Sequence, residues 1–398
     1  MRVGLFGGSF DPFHNGHLSM IEGALKAVDK VVVIPSARNP FKPGKILNAA
    51  PYRYYMTVDA VKRFGDKVVV SDVEFFIPGV SYTLNTIKAL IKKNRINDLV
   101  DSDNVELFWI CGSDILPTFD KWHEPAEILS LVDLLVARRP GQDDDFEANV
   151  KRIEDLYDTK ISVFDIDGVD VSSSCFRKEK NMDDLPSEVR TFIETNALYS
   201  SEWLENVSDK AMEEFLEYAI ELYPILKRDR LLHTINTAVY AVKYAVMYGG
   251  DPDKALIAGI LHDCAKELPD DQQRKMAIKD SGESYDIKKL WHGPAGALMA
   301  QKQFGIKDEE ILDAIRYHTT ARAGMTITDK VVYLSDKIEP ARTYDDLTEV
   351  RAAADKDLEL GLILCVSAFI EKSKRKGMKL HPNTKGFVKE LHLSDSLD

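Results

Sequence analysis

The sequence predicts an α/β domain built on a parallel sheet, followed by an all-α domain, and three observations carry that prediction. Before about residue 200, apolar runs of strand length (KVVVIP, KVVVSDVEFF, VELFWICG, VDLLVARRP) alternate with helical stretches. From about Ser208 onward, segments such as KAMEEFLEYAIELY and TINTAVYAVKYAVMY repeat apolar residues at helical spacing, and strands nearly vanish. A chain of 398 residues with 44% hydrophobic content favours two or three cores over one. The short polar segment SSEWLENVSD separates the two patterns, so the expected domains span 1–202 and 203–398.

Composition narrows the function. A net charge of -13 argues against sequence-independent DNA or RNA binding, which requires a concentrated basic surface. Cys111, Cys175, Cys264 and Cys365 are scattered and form no CxxC, so reduced, mostly buried thiols are expected. The N-terminus lacks a basic segment followed by an apolar core, and no stretch approaches a bilayer-spanning length. The expectation is a soluble cytoplasmic protein with neither a membrane nor a nucleic acid polymer as partner. The oligomeric state stays open, a homo-oligomer included.

The first element is a strand at Val3, Leu5 and Phe6, broken by Gly7, Gly8 and Ser9, with a helix from Leu18. A strand ending in glycines lets the backbone approach a phosphate, and the helix start beyond offers unpaired N–H groups and a positive dipole end. His14 and His17 straddle a glycine at a spacing that aims both imidazoles at one anion. No Cys or carboxylate stands at the spacing that would complete a zinc site. The run GQDDDFEA reads as a solvated loop. Further on, VSSSCFRKEK offers N-cap residues in Ser172, Ser173 and Ser174, with Arg177 one turn inside, a second phosphate-binding pattern.

Taken together, GLFGGSFDPFHNGH, NPFK, RYYM, SYTLNT, ICGSDILPTFDKW, VARRPG, SSSCFR and VRTFIETNALY resemble the HxGH nucleotidyltransferase superfamily, and within it bacterial nicotinate-nucleotide adenylyltransferase. The resemblance covers Met1 to about Ser200. It implies a Rossmann-like parallel sheet and adenylyl transfer from ATP to nicotinate mononucleotide, with magnesium arriving on ATP. It implies that His14, His17 and Lys42 meet the ATP phosphates, that Ser173, Ser174 and Arg177 hold the β and γ phosphates, and that Gly7, Gly8, Ser9, Phe10 and Arg138 complete the nucleotide site. On the pyridine side it implies Trp122 stacked on the ring, Asp114 after Gly112 positioning the nucleotide, and backbone N–H groups near Tyr82 and Thr83 receiving the carboxylate. Phe41 stands where the family commonly has histidine, Ile77 where it often has arginine, and Asn85 where it has aspartate; these bear on rate and base preference. Pantetheine-phosphate adenylyltransferase shares the HxGH logic but is normally shorter and lacks SYT with a downstream GxD and Trp.

In the helical half, His233, His262, Asp263, His292, His318 and Asp336 could each ligate a divalent metal. Adjacent His262 and Asp263 let a carboxylate bridge toward a second ion while the imidazole holds the first. Imidazole and carboxylate without thiolate suit iron, manganese or similar ions. His123, His381 and His392 have no such company and read as surface residues.

The order H...HD...H...H...D resembles the HD-domain metal-dependent phosphohydrolases, and HTINTA, LHDCAKE, HGPAGA, YHTTARAGMT and SDKIEPAR look like the YqeK group of symmetrical dinucleoside tetraphosphatases. The resemblance implies a two-metal site, with iron or manganese, that cleaves diadenosine tetraphosphate to two ADP. Lys266, Arg322 and Arg342 are the candidates for holding the polyphosphate. Ser335 replaces the alanine that commonly precedes the metal aspartate. A different nucleotide substrate, or a purely nucleotide-sensing helical half that regulates the transferase, is the alternative.

Overall fold

The computed structural model describes residues 1–38, 48–138, 145–166, 171–282, 287–343 and 346–393. The chain forms two compact units, Met1–Glu194 and Thr195–Asp398.

The first unit carries six parallel strands, β1 (Arg2–Gly8), β2 (Lys30–Pro35), β3 (Val68–Val70), β4 (Glu106–Gly112), β5 (Asp133–Arg138) and β6 (Ile161–Asp165), in the order β3-β2-β1-β4-β5-β6. Its helices are α1 (Asn15–Ala24), α2 (Ala50–Val61), α3 (Thr83–Ile91), α4 (Arg95–Val100), α5 (Pro125–Leu131), α6 (Phe146–Tyr157), α7 (Ser173–Glu179) and α8 (Ser187–Thr195). On one face of the sheet Val3, Leu5, Val32, Ile34, Trp109 and Leu134 join a core with Leu84 and Ile87 of α3 and Ile128 of α5. Val31, Val33, Phe108 and Ile110 are equally buried on the other face. Both faces of the central strands are covered, which is why those strands read as unbroken apolar runs.

The strand order reverses beside β1, whose neighbours are β2 and β4. In open parallel sheets the crevice outside the carboxyl ends of two such strands is where ligands sit. Gly7, Gly8 and Gly112 occupy those ends.

KVVVSDVEFF is a strand only over Val68–Val70; Val73–Phe76 forms a 3-10 turn. The Ser71 hydroxyl accepts the Val73 N–H at 3.3 Å, a side-chain bond that competes with the ladder and ends it. GQDDDFEA lies outside the described residues over 141–144, and its end opens α6 at Phe146.

The second unit is helical throughout its described residues: α9 (Asp209–Leu222), α10 (Arg228–Tyr248), α11 (Pro252–Leu261), α12 (Asp270–Ser281), α13 (His292–Lys302), α14 (Glu309–Tyr317), α15 (Ile327–Ile338), α16 (Thr348–Ala354), α17 (Leu358–Arg375) and α18 (Pro382–Glu390). Its boundaries follow from capping. Ser208 caps α9 by accepting the Ala211 N–H, Asp251 caps α11 ahead of Pro252, and Gly249 ends α10 in the left-handed region at φ 71°. Helix α10 runs through the core, with Leu231, Ile235, Ala238, Ala241, Val242 and Ala245 buried. Gly259 of α11 lets two helices touch, since a Cβ there would sit 2.5 Å from the Ala238 backbone. Among the described residues, no helix is long and apolar enough to cross a membrane.

Candidate active sites

The first site begins where β1 leaves the sheet. A Cβ on Gly7 would lie 2.7 Å from the Trp109 ring, so a side chain there would have to push that ring aside. The turn then delivers His14 as N-cap of α1. His17 Nδ1 accepts the His14 N–H at 3.1 Å, and the two rings stack with centroids 3.6 Å apart. Because Nδ1 is an acceptor in that bond, the neutral His17 ring carries its proton on Nε2, a donor for an anion.

Residues about 160 positions downstream close on the same turn. Ser172 caps α7 by accepting the Cys175 N–H at 3.0 Å. Ser173 Oγ donates to the Pro12 carbonyl at 3.0 Å, and the Arg177 guanidinium bonds the Asp11 carbonyl and, at 3.3 Å, Ser174 Oγ. The two phosphate-type motifs are thereby one structure.

Beside them opens a cavity of about 420 Å³. Gly7, Gly8, Ser9, His14, His17 and Ser172 line one side, and Thr83, Gly112, Asp114 and Trp122 the other. Phe10 is fully buried and packs on Phe6, Phe13 and His17, so it supports the turn from below. Tyr82 lies against the His123 ring, 4.8 Å away, and borders a smaller recess next to Trp122. Arg138 ends β5 paired with Asp165 at 2.7 Å and does not line the cavity. Lys42 lies outside the described residues.

Two residues of this site escape sequence reasoning. Arg53, 2% exposed, donates to the carbonyls of Ser9 (2.8 Å), Ser36 (2.6 Å), Ala37 (3.3 Å) and Asn48 (2.9 Å), tying the glycine turn to the end of β2 and the start of α2. Glu74, 3% exposed, accepts from the hydroxyls of Ser81 and Thr86 at the cavity wall. The available signal was a charge set among residues that bury, RYYM and VEFF. Cys111 also lines the cavity, but burial and the Asp114 charge push its thiol up to about 12, leaving it protonated and inert.

The second site is a cluster of buried side chains. His233 comes from α10, Asp336 from α15, and His292 from the start of α13; His262 and Asp263 follow α11, and His318 follows α14. His262 Nδ1 faces the Gly259 carbonyl at 2.7 Å, His318 Nδ1 the Ile315 carbonyl at 2.7 Å, and His233 Nδ1 the Glu339 carboxylate at 3.1 Å. In the neutral rings Nδ1–H donates to each outer partner, so the Nε2 lone pairs point inward.

Asp263 stands at the centre. Its Oδ1 lies 3.3 Å from His292 Nε2 and 3.5 Å from His318 Nε2, and its Oδ2 lies 3.6 Å from His262 Nε2. Asp336 Oδ1 lies 3.0 Å from His233 Nε2 and 3.7 Å from His262 Nε2. His262 Nε2 and Asp263 Oδ1 are buried with no hydrogen-bond partner. Leaving such groups unpaired is expensive, and a cation is what this donor set accepts. Burial pushes His262 down to about 3 and His292 well below its ordinary value, so both rings are neutral. Burial alone would raise Asp336, but Lys337 and His233 outweigh it and hold the carboxyl well below its usual range. Neutral imidazole and ionised carboxylate are the forms that bind a metal.

The cations around the cluster sort differently from expectation. Lys266 Nζ lies 2.9 Å from His292 Nε2, and Arg342 bonds Asp336 at 3.0 Å. Arg322 instead pairs with Asp313 and Asp329 at 2.9 and 3.0 Å. Arg230, which sequence reasoning missed, donates to Asp263 Oδ2 at 2.6 Å; it lies three residues before His233, within one helical turn. His123 and His392 are exposed, and His381 caps α18.

Comparison with known proteins separates the halves in the same way. The cytidylyltransferase-like family model matches residues 5–179, and the HD domain model matches 230–341. A symmetrical bis(5'-nucleosyl)-tetraphosphatase of Bacillus subtilis is 37% identical over 162 residues, 40% of this chain and 87% of the relative. A probable nicotinate-nucleotide adenylyltransferase of Clostridium novyi is 35% identical over 206 residues, 50% of this chain and 98% of the relative. A Mycoplasma pneumoniae protein named probable nicotinate-nucleotide adenylyltransferase/Ap4A hydrolase is 27% identical over 365 residues, 89% of this chain and 95% of its own length.

Proposed function

The chain belongs to the nicotinate-nucleotide adenylyltransferase family through its first half and to the symmetrical bis(5'-nucleosyl)-tetraphosphatase family through its second, and from that premise we propose a bifunctional enzyme. The first half transfers AMP from ATP to nicotinate mononucleotide, and the second cleaves diadenosine tetraphosphate into two ADP.

The observation that carries the transferase reading is the latch of Ser173, Ser174 and Arg177 onto the 11–12 segment beside His14 and His17. The phosphate oxygen of nicotinate mononucleotide bonds to the α-phosphorus of ATP while the bond to the bridging oxygen breaks, and pyrophosphate leaves with the electron pair. No protein nucleophile is needed. His17 Nε2–H and His14 meet the reacting phosphate, and Arg177 with the serine hydroxyls takes the charge that grows on pyrophosphate. Trp122 and Asp114 on the opposite wall hold the pyridine nucleotide in line.

The observation that carries the hydrolase reading is the pair of unpartnered buried atoms, His262 Nε2 and Asp263 Oδ1, inside the six-residue cluster. Asp263 Oδ1 faces His292 and His318, and its Oδ2 faces His262; with His233 and Asp336 these residues would hold two divalent ions such as iron or manganese. When bound, such ions lower the pKa of a water and neutralise phosphate charge. Arg230, Arg342 and Lys266 sit on these ligand atoms, and with metal held there they would be the cations left to face the phosphates.

The test is a product assay on the metal-loaded full chain with diadenosine tetraphosphate and, separately, with ATP and nicotinate mononucleotide. ADP as sole nucleotide product with iron or manganese, lost in Asp263→Ala, supports the hydrolase half. Its absence assigns the helical unit to another nucleotide or to sensing.

A further inference from the structure

The second unit has a second cavity, of about 280 Å³, lined by residues of α15, α16 and α17 and by the segment preceding α16. Its walls are apolar where they are deepest, at Val350, Leu347 and the half-buried Phe369. Lys372 and Arg375 of α17 stand toward solvent, and Asp346 and Glu371 place two carboxylates at the same rim.

One residue joins this cavity to the metal-ligand cluster. Lys337 lines the cavity, and its Nζ donates to Asp336 Oδ2 at 2.9 Å and to the His318 carbonyl at 3.0 Å. Lys337 therefore belongs both to the cavity lining and to the shell of the ligand carboxylate, and Lys372 and Arg375 add two further cations to that lining.

We propose that this cavity receives one adenosine end of the dinucleoside polyphosphate, with its phosphates passing Lys372 and Lys337 to reach the metal cluster. The inference rests on the hydrolase reading of the second unit and names where the substrate is held. The volume lies just under the roughly 300–1,000 Å³ common for small-molecule sites, so it takes one nucleoside and not the whole dinucleotide. Phe369 presents the aromatic face on which a base stacks. The carboxylates of Asp346 and Glu371 offer acceptors to the exocyclic amine of adenine.

This arrangement also makes the cut symmetrical. An end fixed in the cavity sets how many phosphates span the distance to the cluster, and so which phosphorus is presented to the activated water. The water oxygen bonds to that phosphorus, the bridging oxygen leaves with the electron pair as the second ADP, and the water proton goes to solvent.

The experiment is photolabelling of the manganese-loaded full chain with 8-azido-ADP, read by mass spectrometry for adducts within residues 358–375, beside an ADP-release assay with diadenosine tetraphosphate. The expected result is labelling of α17 that unlabelled diadenosine tetraphosphate competes away and that Arg375→Glu weakens about tenfold at unchanged metal content. If tetraphosphate is cleaved and α17 stays unlabelled, the pocket assignment is overturned and the hydrolase reading stands. Labelled α17 without cleavage keeps the pocket as an adenine nucleotide site and removes the hydrolase reading.

Discussion

The two sites handle the same group, phosphate, by opposite means. In the first unit the recognition surface is an open crevice at a strand-order reversal, made of a glycine turn, a helix start and a latch of serines and one arginine. In the second it is a closed knot of four imidazoles and two carboxylates, with most ligand atoms buried. The contrast teaches where each is vulnerable. A backbone-built site depends on the residues that hold its loops, whereas a side-chain-built site depends on the protonation state and completeness of its ligands.

The sharpest way to break the comparison is Asp263→Ala. It removes the central carboxylate, so tetraphosphate hydrolysis is expected to fall by about 10³ or more with loss of bound metal, while adenylyl transfer in the same sample stays within about twofold. Parallel loss of both activities would show that the sites are not independent. His17→Ala is the converse experiment, expected to lower adenylyl transfer by about 10²–10³ through loss of one aimed donor and to leave ADP release unmoved.

Arg53→Met sharpens the claim about loop support. Four carbonyls lose their shared donor, so the first unit is expected to lose about 3 kcal/mol of stability in denaturant unfolding, with KM for ATP rising more than KM for nicotinate mononucleotide. An unchanged melting profile would sink it.

The pH response belongs to the metal-ligand cluster. Burial disfavours the imidazolium of His233, yet hydrogen bonds to Asp336 and Glu339 outweigh it and lift its pKa above the ordinary 6.5. A raised folded pKa adds stability that is fully present below the unfolded value and is lost as pH rises through the folded one. The metal-free second unit should therefore melt at a lower temperature as pH rises from the ordinary 6.5 through the raised folded value, from this group's contribution. Metal must displace the same proton, so affinity runs the other way, rising with pH until the folded pKa is passed. Calorimetry of manganese uptake in two buffers of different ionisation enthalpy measures that proton. The smallest effect is expected from Arg138→Ala, because the side chain is exposed, paired with Asp165 and off the cavity: adenylyl transfer within about twofold.

Much of this was legible before any coordinates. GGSFDPFHNGH marks its own strand, turn and helix because glycine, proline and capping residues act over a few positions, and the helical half declares itself by period alone. The six candidate ligands could be named from sequence because four histidines and two aspartates recur in that order within buried-type helices, where ionisable residues are rare. Arg53, Glu74 and Arg230 were not, since what makes each matter is a partner many residues away: the Ser9 carbonyl, the Thr86 hydroxyl, the Asp263 carboxylate. The truncation of KVVVSDVEFF after Val70 was missed for a related reason, because a single hydroxyl bond outcompeted the ladder.

The sequence by itself thus determined the two fold classes and named the candidate residues of both sites, because both follow from local periodicity and residue type. Only the tertiary structure decided which cations stand at the metal-ligand cluster, Arg230 and Lys337 beside Lys266 and Arg342 but not Arg322. It also set Arg138 at the end of β5, paired with Asp165 and off the cavity. The reason is physical: a long charged side chain can reach several partners, and the carboxylate it settles on is fixed by how the helices and strands pack.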